Sequence, residues 1–178
     1  MVRFEGEDIA TTGYSKHRRE HVSLVFQDHN LIDYLTPEEN LRLVNPKADM
    51  KILEDLGLSR EESKRNIMHL SGGQRQAVSL IMATLTPIDF LILDEHTAAL
   101  DPKTAEIIME LTDKVVKQKK LTAVMVTHNL RYAVEYGSRL VMMDRGNIIL
   151  DKAGEDKKNT SIDDILAIFN KISIECGN

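Results

Sequence analysis

Residues 70–76 have the sequence Leu-Ser-Gly-Gly-Gln-Arg-Gln and lead into the apolar stretch Ala77–Leu85. Ser71 is placed to cap the helix that this stretch predicts, and the two glycines leave its first amides open to a ligand. The N-terminus of a helix favours an anion, because it carries unpaired N–H groups and the positive end of the dipole. By itself, Ser-Gly-Gly is more typical of a capped helix that follows a flexible turn and binds nothing.

A second feature lies at the end of another apolar run. Phe90–Leu93 predicts a buried strand, and Asp94 and Glu95 follow it directly. This order puts both carboxylates at the carboxyl edge of a sheet, where α/β proteins bind ligands. Two solvated acids at the end of a strand are the alternative interpretation.

The rest of the chain predicts an α/β fold with a largely parallel sheet, because short apolar runs alternate with helical patterns. Val22–Phe26 and Thr122–Val126 predict two more buried strands, and Arg139–Met143 with Asn147–Leu150 predicts a hairpin. Only short helices and loops are predicted between the first strand and residue 70. We therefore expect a single domain with a helical subdomain, about residues 28–85, inserted in its α/β core.

Several helix boundaries are marked by residue types that favour caps. Gly57 and Gly137 are suited to left-handed helix ends. Three helix starts combine a capping side chain with a proline or a glutamate in the first turn. They are Thr36 with Pro37 and Glu39, Ser59 with Glu62, and Asp101 with Pro102.

Charge, hydropathy and cysteine content exclude several classes of function. The 178 residues carry a formal net charge of -5, whereas a nucleic-acid-binding protein normally has a basic surplus. No apolar run approaches the roughly 20 residues that a membrane-spanning helix needs. Cys176 is the single cysteine, so an internal disulfide is impossible and a reducing compartment is expected. Any link to a membrane would be made through partners.

The string at 70–76 resembles the signature motif of ABC-type ATPases, and the resemblance extends over nearly the whole chain. Gln27 lies in a stretch similar to the family's Q-loop. Phe90–Glu95 resembles its Walker B element, Thr97–Asp101 its D-loop, and His128 its switch histidine. All of these segments occur in the order that the family has, and the fold implied is a P-loop NTPase-like ABC core.

The resemblance implies a role for each matching residue in ATP hydrolysis. Asp94 would hold Mg²⁺ through water, and Glu95 would polarise the water that attacks the γ-phosphate. Gln27 would reach the metal and the same water. His128 would contact the γ-phosphate.

The resemblance also implies partners. Ser71, Gly72, Gly73 and Gln74 would face an ATP bound to a second ABC ATPase domain, identical or related, and Asp101 would lie where the two domains cross. Transmembrane permease subunits and a solute-binding protein are the other expected partners, while nucleic acid is not expected. The chain would then lie on the cytoplasmic face of the cell membrane, with ATP and Mg²⁺ as its cofactors.

One element of the family is missing from these residues. The phosphate-binding pattern G-x-x-x-x-G-K-[ST] does not occur, since none of the nine glycines is followed by lysine. The residues before Gln27 resemble the strand and turn that follow the P-loop helix. The chain is either a fragment of an ordinary motor or a degenerate partner that donates only its signature face, and alone it should not hydrolyse ATP.

The remaining alternatives concern the kind of ABC protein. His96 replaces the family's usual proline, either as a polar contact near the nucleotide or as a tolerated loop substitution. The stretch Glu95–Thr104 resembles a subgroup that serves binding proteins for amino acids and similar solutes, which favours an importer. DNA-repair relatives carry a long coiled-coil insertion, whereas here only 43 residues, Asp28–Leu70, separate Q-loop and signature. A non-catalytic regulatory module remains a third possibility.

Overall fold

The computed structural model describes residues 2–175. The chain folds into two compact units, residues 1–126 and 127–178, and each unit has its own sheet and core. Cys176, interpreted from the sequence as an inert thiol, lies outside the described residues. In the described part of the chain no helix is both long and apolar enough to span a membrane.

The first unit is built on a three-stranded parallel sheet in the order β3-β4-β5. Its strands are β3 (Val22–Val25), β4 (Phe90–Asp94) and β5 (Thr122–Val126). β4 is central, and its last residue, Asp94, pairs in register with Val126 of β5. The α/β fold with a mainly parallel sheet is therefore confirmed.

The prediction that β5 is buried is wrong. In β4, Leu91 and Leu93 are almost completely buried, whereas in β5 Val124 and Val126 remain 47% and 50% exposed. β4 has a strand on each side, but β5 is an edge strand that pairs only with β4 within the described residues. The apolar run therefore predicted the strand correctly. It could not predict whether the strand would lie in the centre or at the edge of the sheet, and this position determines how far its side chains are buried.

The other elements of this unit are a short hairpin and a series of helices. Between residues 27 and 85 the described chain forms helices, turns and loops but no strand. That residues 28–85 form a helical subdomain, and that the whole chain is a single domain, stay predictions. In chain order the elements are β1 (Arg3–Phe4), β2 (Glu7–Asp8), α1 (Ile9–Thr12), α2 (Tyr14–His21), α3 (Pro37–Val44), α4 (Lys51–Asp55), two 3₁₀ turns (Glu62–Lys64 and Ile67–His69), α5 (Gly72–Thr84) and α6 (Pro102–Lys119).

Two of the predicted caps are confirmed. Thr36 and Glu39 form a reciprocal capping box at the start of α3, with the Glu39 amide donating to Thr36 Oγ1 over 3.2 Å. Asp101 caps α6 by accepting the amide N–H of Thr104, with Pro102 as the first helical residue. These side chains satisfy amides that have no partner inside the helix.

The prediction for Ser59 and Glu62 is right about the cap and wrong about the helix. The Glu62 amide donates to Ser59 Oγ, and the Glu62 carboxylate accepts from the Ser59 amide at 2.8 Å. The segment that follows is only the 3₁₀ turn Glu62–Lys64. A capping box satisfies the first amides of a turn, but it does not supply the apolar stripe that would keep an α-helix packed.

The core of the first unit contains residues from both the sheet and the helical segments. β3 and β4 contribute one part of the buried cluster, and the helices and loops after residue 27 contribute another. Its fully or almost fully buried members include Val25, Leu41, Ile67, Leu80, Leu91 and Leu93. The helical segments are therefore anchored to the sheet by shared apolar burial, the main source of stability in such cores.

The described part of the second unit contains the predicted hairpin and three helices. Arg145 and Gly146 have φ values of 46° and 81°, which confirms the tight turn between the strands. The second strand of the hairpin runs to Ala153, beyond the predicted Leu150. The elements are α7 (Leu130–Glu135), β6 (Arg139–Asp144), β7 (Asn147–Ala153), α8 (Gly154–Lys158) and α9 (Ile162–Glu175).

A buried lysine ties α8 to the end of α7 in this unit. Lys157 is only 4% exposed, and its Nζ donates to the carbonyl oxygens of Val134 and Tyr136. Burial lowers the pKa of the Lys157 ammonium from its usual value. The contact satisfies carbonyls at a helix C-terminus, where a cation is favoured by the dipole.

We expect Lys157→Met to loosen α7. The methionine keeps the apolar stem but leaves two carbonyls without their donor, a loss of about 1–2 kcal/mol. Lys158→Met is the matched control, since the Lys158 side chain is 69% exposed and pairs with Glu155. Hydrogen exchange of the α7 amides measures the effect, and equal exchange in the two variants would contradict the assigned role.

Candidate functional site

The first unit has a cleft of about 380 Å³ at the carboxyl edge of its parallel sheet. Gln27 follows β3 by two residues, Asp94 ends β4, and Glu95 comes next. The structure therefore brings three of the predicted site residues together. The cleft is lined by Phe26, Gln27, Asp28, Asn30, Asp94 and Glu95.

Glu95 is held in an unusual backbone conformation. Its φ of 45° lies in the left-handed region, which costs a side-chain-bearing residue about 1 kcal/mol or more. The Glu95 amide donates to the Val126 carbonyl at 3.0 Å, and its own carbonyl accepts the Ala98 amide at 2.9 Å. The chain thus turns sharply where β4 ends, and the Glu95 side chain stays half-buried in the cleft.

The sequence left His96 as either a polar contact near the nucleotide or a tolerated loop substitution, and in the structure this turn residue is buried. Its side chain is 2% exposed and lies 3.1 Å from the Thr112 hydroxyl of α6. Thr112 donates its only hydroxyl proton to the Ile108 carbonyl at 2.7 Å, so it accepts from His96 and Nε2 must carry the hydrogen. Burial lowers the pKa of His96 to about 4, which keeps the ring neutral at pH 7.

The segment after Gln27 contacts α5, which the sequence did not predict. His29 and Asn30 have positive φ values of 60° and 27°. His29 Nδ1 hydrogen-bonds to Oε1 of Gln76, a residue with no exposed surface. A polar residue directly before the apolar run Ala77–Leu85 was the only signal available, and it did not indicate which loop would meet it.

The signature segment forms the predicted capped helix start. The Gln74 amide donates to Ser71 Oγ at 3.2 Å, and Gln74 Oε1 accepts the Ser71 amide at 3.0 Å. Within the described residues, no group accepts the backbone N–H of Gly72 or Gly73. These two amides at the N-terminus of a 13-residue helix are therefore suited to an anionic oxygen.

The two glycines are also required by packing inside the chain. A Cβ on Gly72 would lie 3.2 Å from Leu100 Cδ2, and a Cβ on Gly73 would overlap the Thr104 methyl group. The sequence had indicated only that these positions leave the helix amides open to a ligand. The signature segment also packs tightly against Leu100 and Thr104, around the start of α6.

Asp101 is bonded to the first turn of α6. Its Oδ1 accepts the Thr104 amide at 3.1 Å. Hydrogen bonds from the Thr104 hydroxyl and from the same amide hold the pKa of Asp101 below its usual value. The starts of α5 and α6 are therefore in contact. Thr104, which Asp101 holds in place, packs against Gly73.

His128 belongs to the second unit, and it follows the end of β5 by two residues. It lies between Thr127 and Asn129, and the Asn129 amide donates to Thr127 Oγ1 at 3.0 Å. The Asn129 side chain caps α7. The structure therefore describes His128 as part of the second unit.

The cleft offers oxygen ligands of the kind that Mg²⁺ prefers. Asp94 and Glu95 supply carboxylates and Gln27 supplies an amide oxygen. Among the residues whose side chains the structure describes, no group of three or more histidine, cysteine, aspartate or glutamate side chains is placed to hold a metal ion. In proteins Mg²⁺ is usually held by one or two carboxylates, and water and phosphate complete its shell.

Comparison with known proteins identifies the family. The sequence profile described as "ABC transporter" matches residues 1–98, more than half of the chain. The chain therefore belongs to the ABC transporter family. Since residues 1–98 include the signature segment and Walker B, the resemblance stated from these motifs is confirmed for this ABC chain.

Curated relatives are ATP-binding proteins of transport systems. The tyrosine transport ATP-binding protein of Clostridioides difficile is 42% identical over 92% of this ABC chain and 72% of its own length. A phosphonates import ATP-binding protein of Ruegeria sp. is 34% identical, and a methionine import ATP-binding protein of Streptococcus agalactiae is 30% identical. The chain spans 66% and 44% of these two relatives and matches them over 84% of itself.

A solved structure supports the same conclusion. A dimeric ATP-binding cassette in a post-hydrolysis state, bound to ADP and Pi, aligns with a TM-score of 0.64 and 30% identity. The alignment covers 84% of this ABC chain and 68% of the cassette. The fold is thus that of an ABC ATPase cassette.

We expect Gly73→Ala to destabilise the chain without any nucleotide. Overlap of the new methyl group with Thr104 should cost about 1–3 kcal/mol, more than the roughly 1 kcal/mol that alanine gains in a helix. Gly72→Ala has more room and should cost less. In urea unfolding, adding Thr104→Ser to Gly73→Ala should restore stability, since serine lacks the overlapping methyl; no rescue would contradict this packing.

His96 predicts a pH dependence of stability. The unfolded histidine binds a proton below about pH 6.5, while the folded one does so only near pH 4. The free energy of unfolding should therefore fall by about 3 kcal/mol as the pH drops from 6.5 to 4. His96→Gln should remove this part of the slope, and the control His69→Gln, at an exposed histidine, should keep it. Urea titrations at several pH values between 4 and 7 test both.

Proposed function

We propose that this chain supplies the hydrolytic and signature elements of an ATP-hydrolysing subunit in an ABC membrane transporter. The observation that carries the proposal is that Gln27, Asp94 and Glu95 line the same cleft. Gln27 follows β3, whereas Asp94 ends β4 and Glu95 comes next, so the parallel sheet brings the three side chains together. Such an edge is where α/β proteins perform their chemistry.

Each of these three cleft residues has its own role in ATP hydrolysis. Glu95 takes the proton of, or orients, the water that attacks the γ-phosphate, and Gln27 positions the same water. Asp94 and Gln27 hold Mg²⁺ through water molecules. When bound, Mg²⁺ neutralises charge on the transferring phosphate. The left-handed turn at Glu95 supports this assignment, because strained backbone is concentrated at functional sites.

The signature segment acts on a nucleotide held by a second ABC ATPase domain. The free amides of Gly72 and Gly73 and the hydroxyl of Ser71 donate to its phosphate oxygens, while Gln74 keeps Ser71 in place. Asp101 sets the start of α6 beside the glycines, at the position where the two domains cross. The dimeric state of the related cassette supports a paired arrangement.

His128 contacts the γ-phosphate and senses its loss. The resemblance of Val126-Thr127-His128 to the family's switch segment supports this role. Release of the phosphate would then loosen the two ATPase domains and change the state of the permease. This alternation between closed and open pairs couples hydrolysis to transport.

The transport is import of an amino acid or a similar small solute. The names of the related proteins, which mention tyrosine, methionine and phosphonates, support this class. The partners are a second ATPase domain, transmembrane permease subunits and a solute-binding protein. The chain works on the cytoplasmic face of the cell membrane, attached through the permease.

A second candidate is a non-catalytic partner that donates only its signature face. The observation that favours it is the lack of any G-x-x-x-x-G-K-[ST] string in the 178 residues. On either proposal these residues alone should not turn over ATP. The two differ when the coding sequence upstream is joined ahead of residue 2 to give a P-loop-extended chain: only the first predicts that this segment supplies a P-loop and that the chain then hydrolyses ATP.

In this P-loop-extended chain, Glu95→Gln should reduce ATP turnover at least about a hundredfold, since it removes the base. The variant keeps the size of the side chain and should still bind ATP. Glu110→Gln, at an exposed position of α6, is the control and should keep full turnover. Phosphate release with saturating Mg²⁺ is the measurement. Equal rates for the two variants would remove Glu95 from the proposed chemistry.

A further inference from the structure

The side chain of Gln74 is held at both ends of its carboxamide. Its Oε1 accepts the Ser71 amide at 3.0 Å. Its Nε2 donates to Oε1 of Glu62, twelve residues earlier, at 2.8 Å. The family resemblance assigned no role to Glu62, and the sequence indicated only that it caps a helix.

Glu62 uses its two carboxylate oxygens for two different segments. Oε2 accepts from the amide and the hydroxyl of Ser59, each at 2.8 Å. Oε1 is left to accept from Gln74. The carboxylate is therefore fixed by the turn that it caps, and its second oxygen is directed at the signature segment.

An ionised carboxylate accepts hydrogen bonds but donates none, so it selects one orientation of the Gln74 amide. With Nε2 toward Glu62, Oε1 faces the Ser71 N–H. In the reversed orientation, Oε1 would face the carboxylate and the NH₂ group would face the Ser71 amide, and both contacts would be repulsive. Hydrogen bonds from Ser59 and Gln74 lower the pKa of Glu62 to about 2, so the charge persists at neutral pH.

The orientation of Gln74 determines which donors of the signature segment remain available. Ser71 Oγ is occupied as an acceptor by the Gln74 amide, and the Ser71 N–H is occupied by Gln74 Oε1. Among the described residues the Ser71 hydroxyl proton and the amides of Gly72 and Gly73 have no acceptor. These three donors point to one ligand class, a phosphate oxygen.

The geometry points to Glu62 as a positioning residue for the signature segment: through Gln74 it holds Ser71 so that the free donors of the helix start face the phosphate of a nucleotide. This inference rests on the proposed function of the signature segment. Glu62 touches no reacting atom, and it acts by excluding the reversed Gln74 amide. Glu62, which lies in the segment before the signature, thereby influences the part of the signature that contacts the nucleotide.

Glu62→Gln is the sharpest variant, because glutamine has a single acceptor oxygen and cannot serve both Ser59 and Gln74. Glu61→Gln is the matched control, since the Glu61 side chain is 86% exposed and its carboxylate pairs with Arg65 over 3.7 Å. Ser59→Ala is a second control that weakens the cap and leaves the contact between Glu62 and Gln74. A role of Glu62 limited to capping would make Ser59→Ala and Glu62→Gln equivalent.

The first measurement is NMR of the ¹⁵N-labelled full chain without nucleotide. In Glu62→Gln the side-chain amide signals of Gln74 should shift and the Ser71 amide should exchange about tenfold faster, as expected for loss of a charge-assisted bond. Glu61→Gln and Ser59→Ala should keep both signals. If Glu62→Gln matches Glu61→Gln, or if Ser59→Ala gives the same change, the inference is overturned.

The second measurement is ATP turnover of the P-loop-extended chain. Glu62→Gln should lower it about tenfold at low ATP, with a smaller effect at saturating ATP, while Glu61→Gln has no effect. Ser71→Ala separates the two proposals. If Ser71→Ala lowers turnover and Glu62→Gln does not, the positioning role is wrong; if Ser71→Ala has no effect either, the proposed function of the signature segment is wrong.

Discussion

The central place of β4 in the parallel sheet is the constraint on which the candidate site depends. β3 and β5 pair with it in the same direction, so the segments that leave these strands start from one edge. Leu91 and Leu93 fasten β4 in the core, and the carboxylates of Asp94 and Glu95 follow at its end. Buried apolar side chains thus fix the position of two charges that could not themselves be buried without a partner.

The helical segments are attached to this sheet by apolar burial, but the signature segment is ordered by polar contacts. Gln74 connects Ser71 to Glu62, and Gly73 fits against Thr104 only because it lacks a side chain. Small changes at these positions therefore alter the geometry of the helix start before any ligand is present. A signature variant that loses activity can do so through packing within its own chain.

His96 shows how a residue in a turn can be buried by a helix that lies further along the chain. The motif around it predicted a turn beside the nucleotide, and the turn is present. α6, however, packs over the turn and presents Thr112 to the ring. Contacts between a loop and a distant helix depend on the path of the whole chain, so the local pattern could not reveal them.

The sequence by itself determined the family, the α/β class, the parallel strands and the order of the site segments. These features depend on local patterns: apolar runs, capping residues and short motifs whose spacing is set along the chain. Tertiary structure alone decided that β5 is an edge strand with exposed valines, that His29 meets Gln76, and that Glu62 reaches Gln74. These contacts join residues far apart in sequence, and only packing of the folded chain brings their side chains within hydrogen-bond distance.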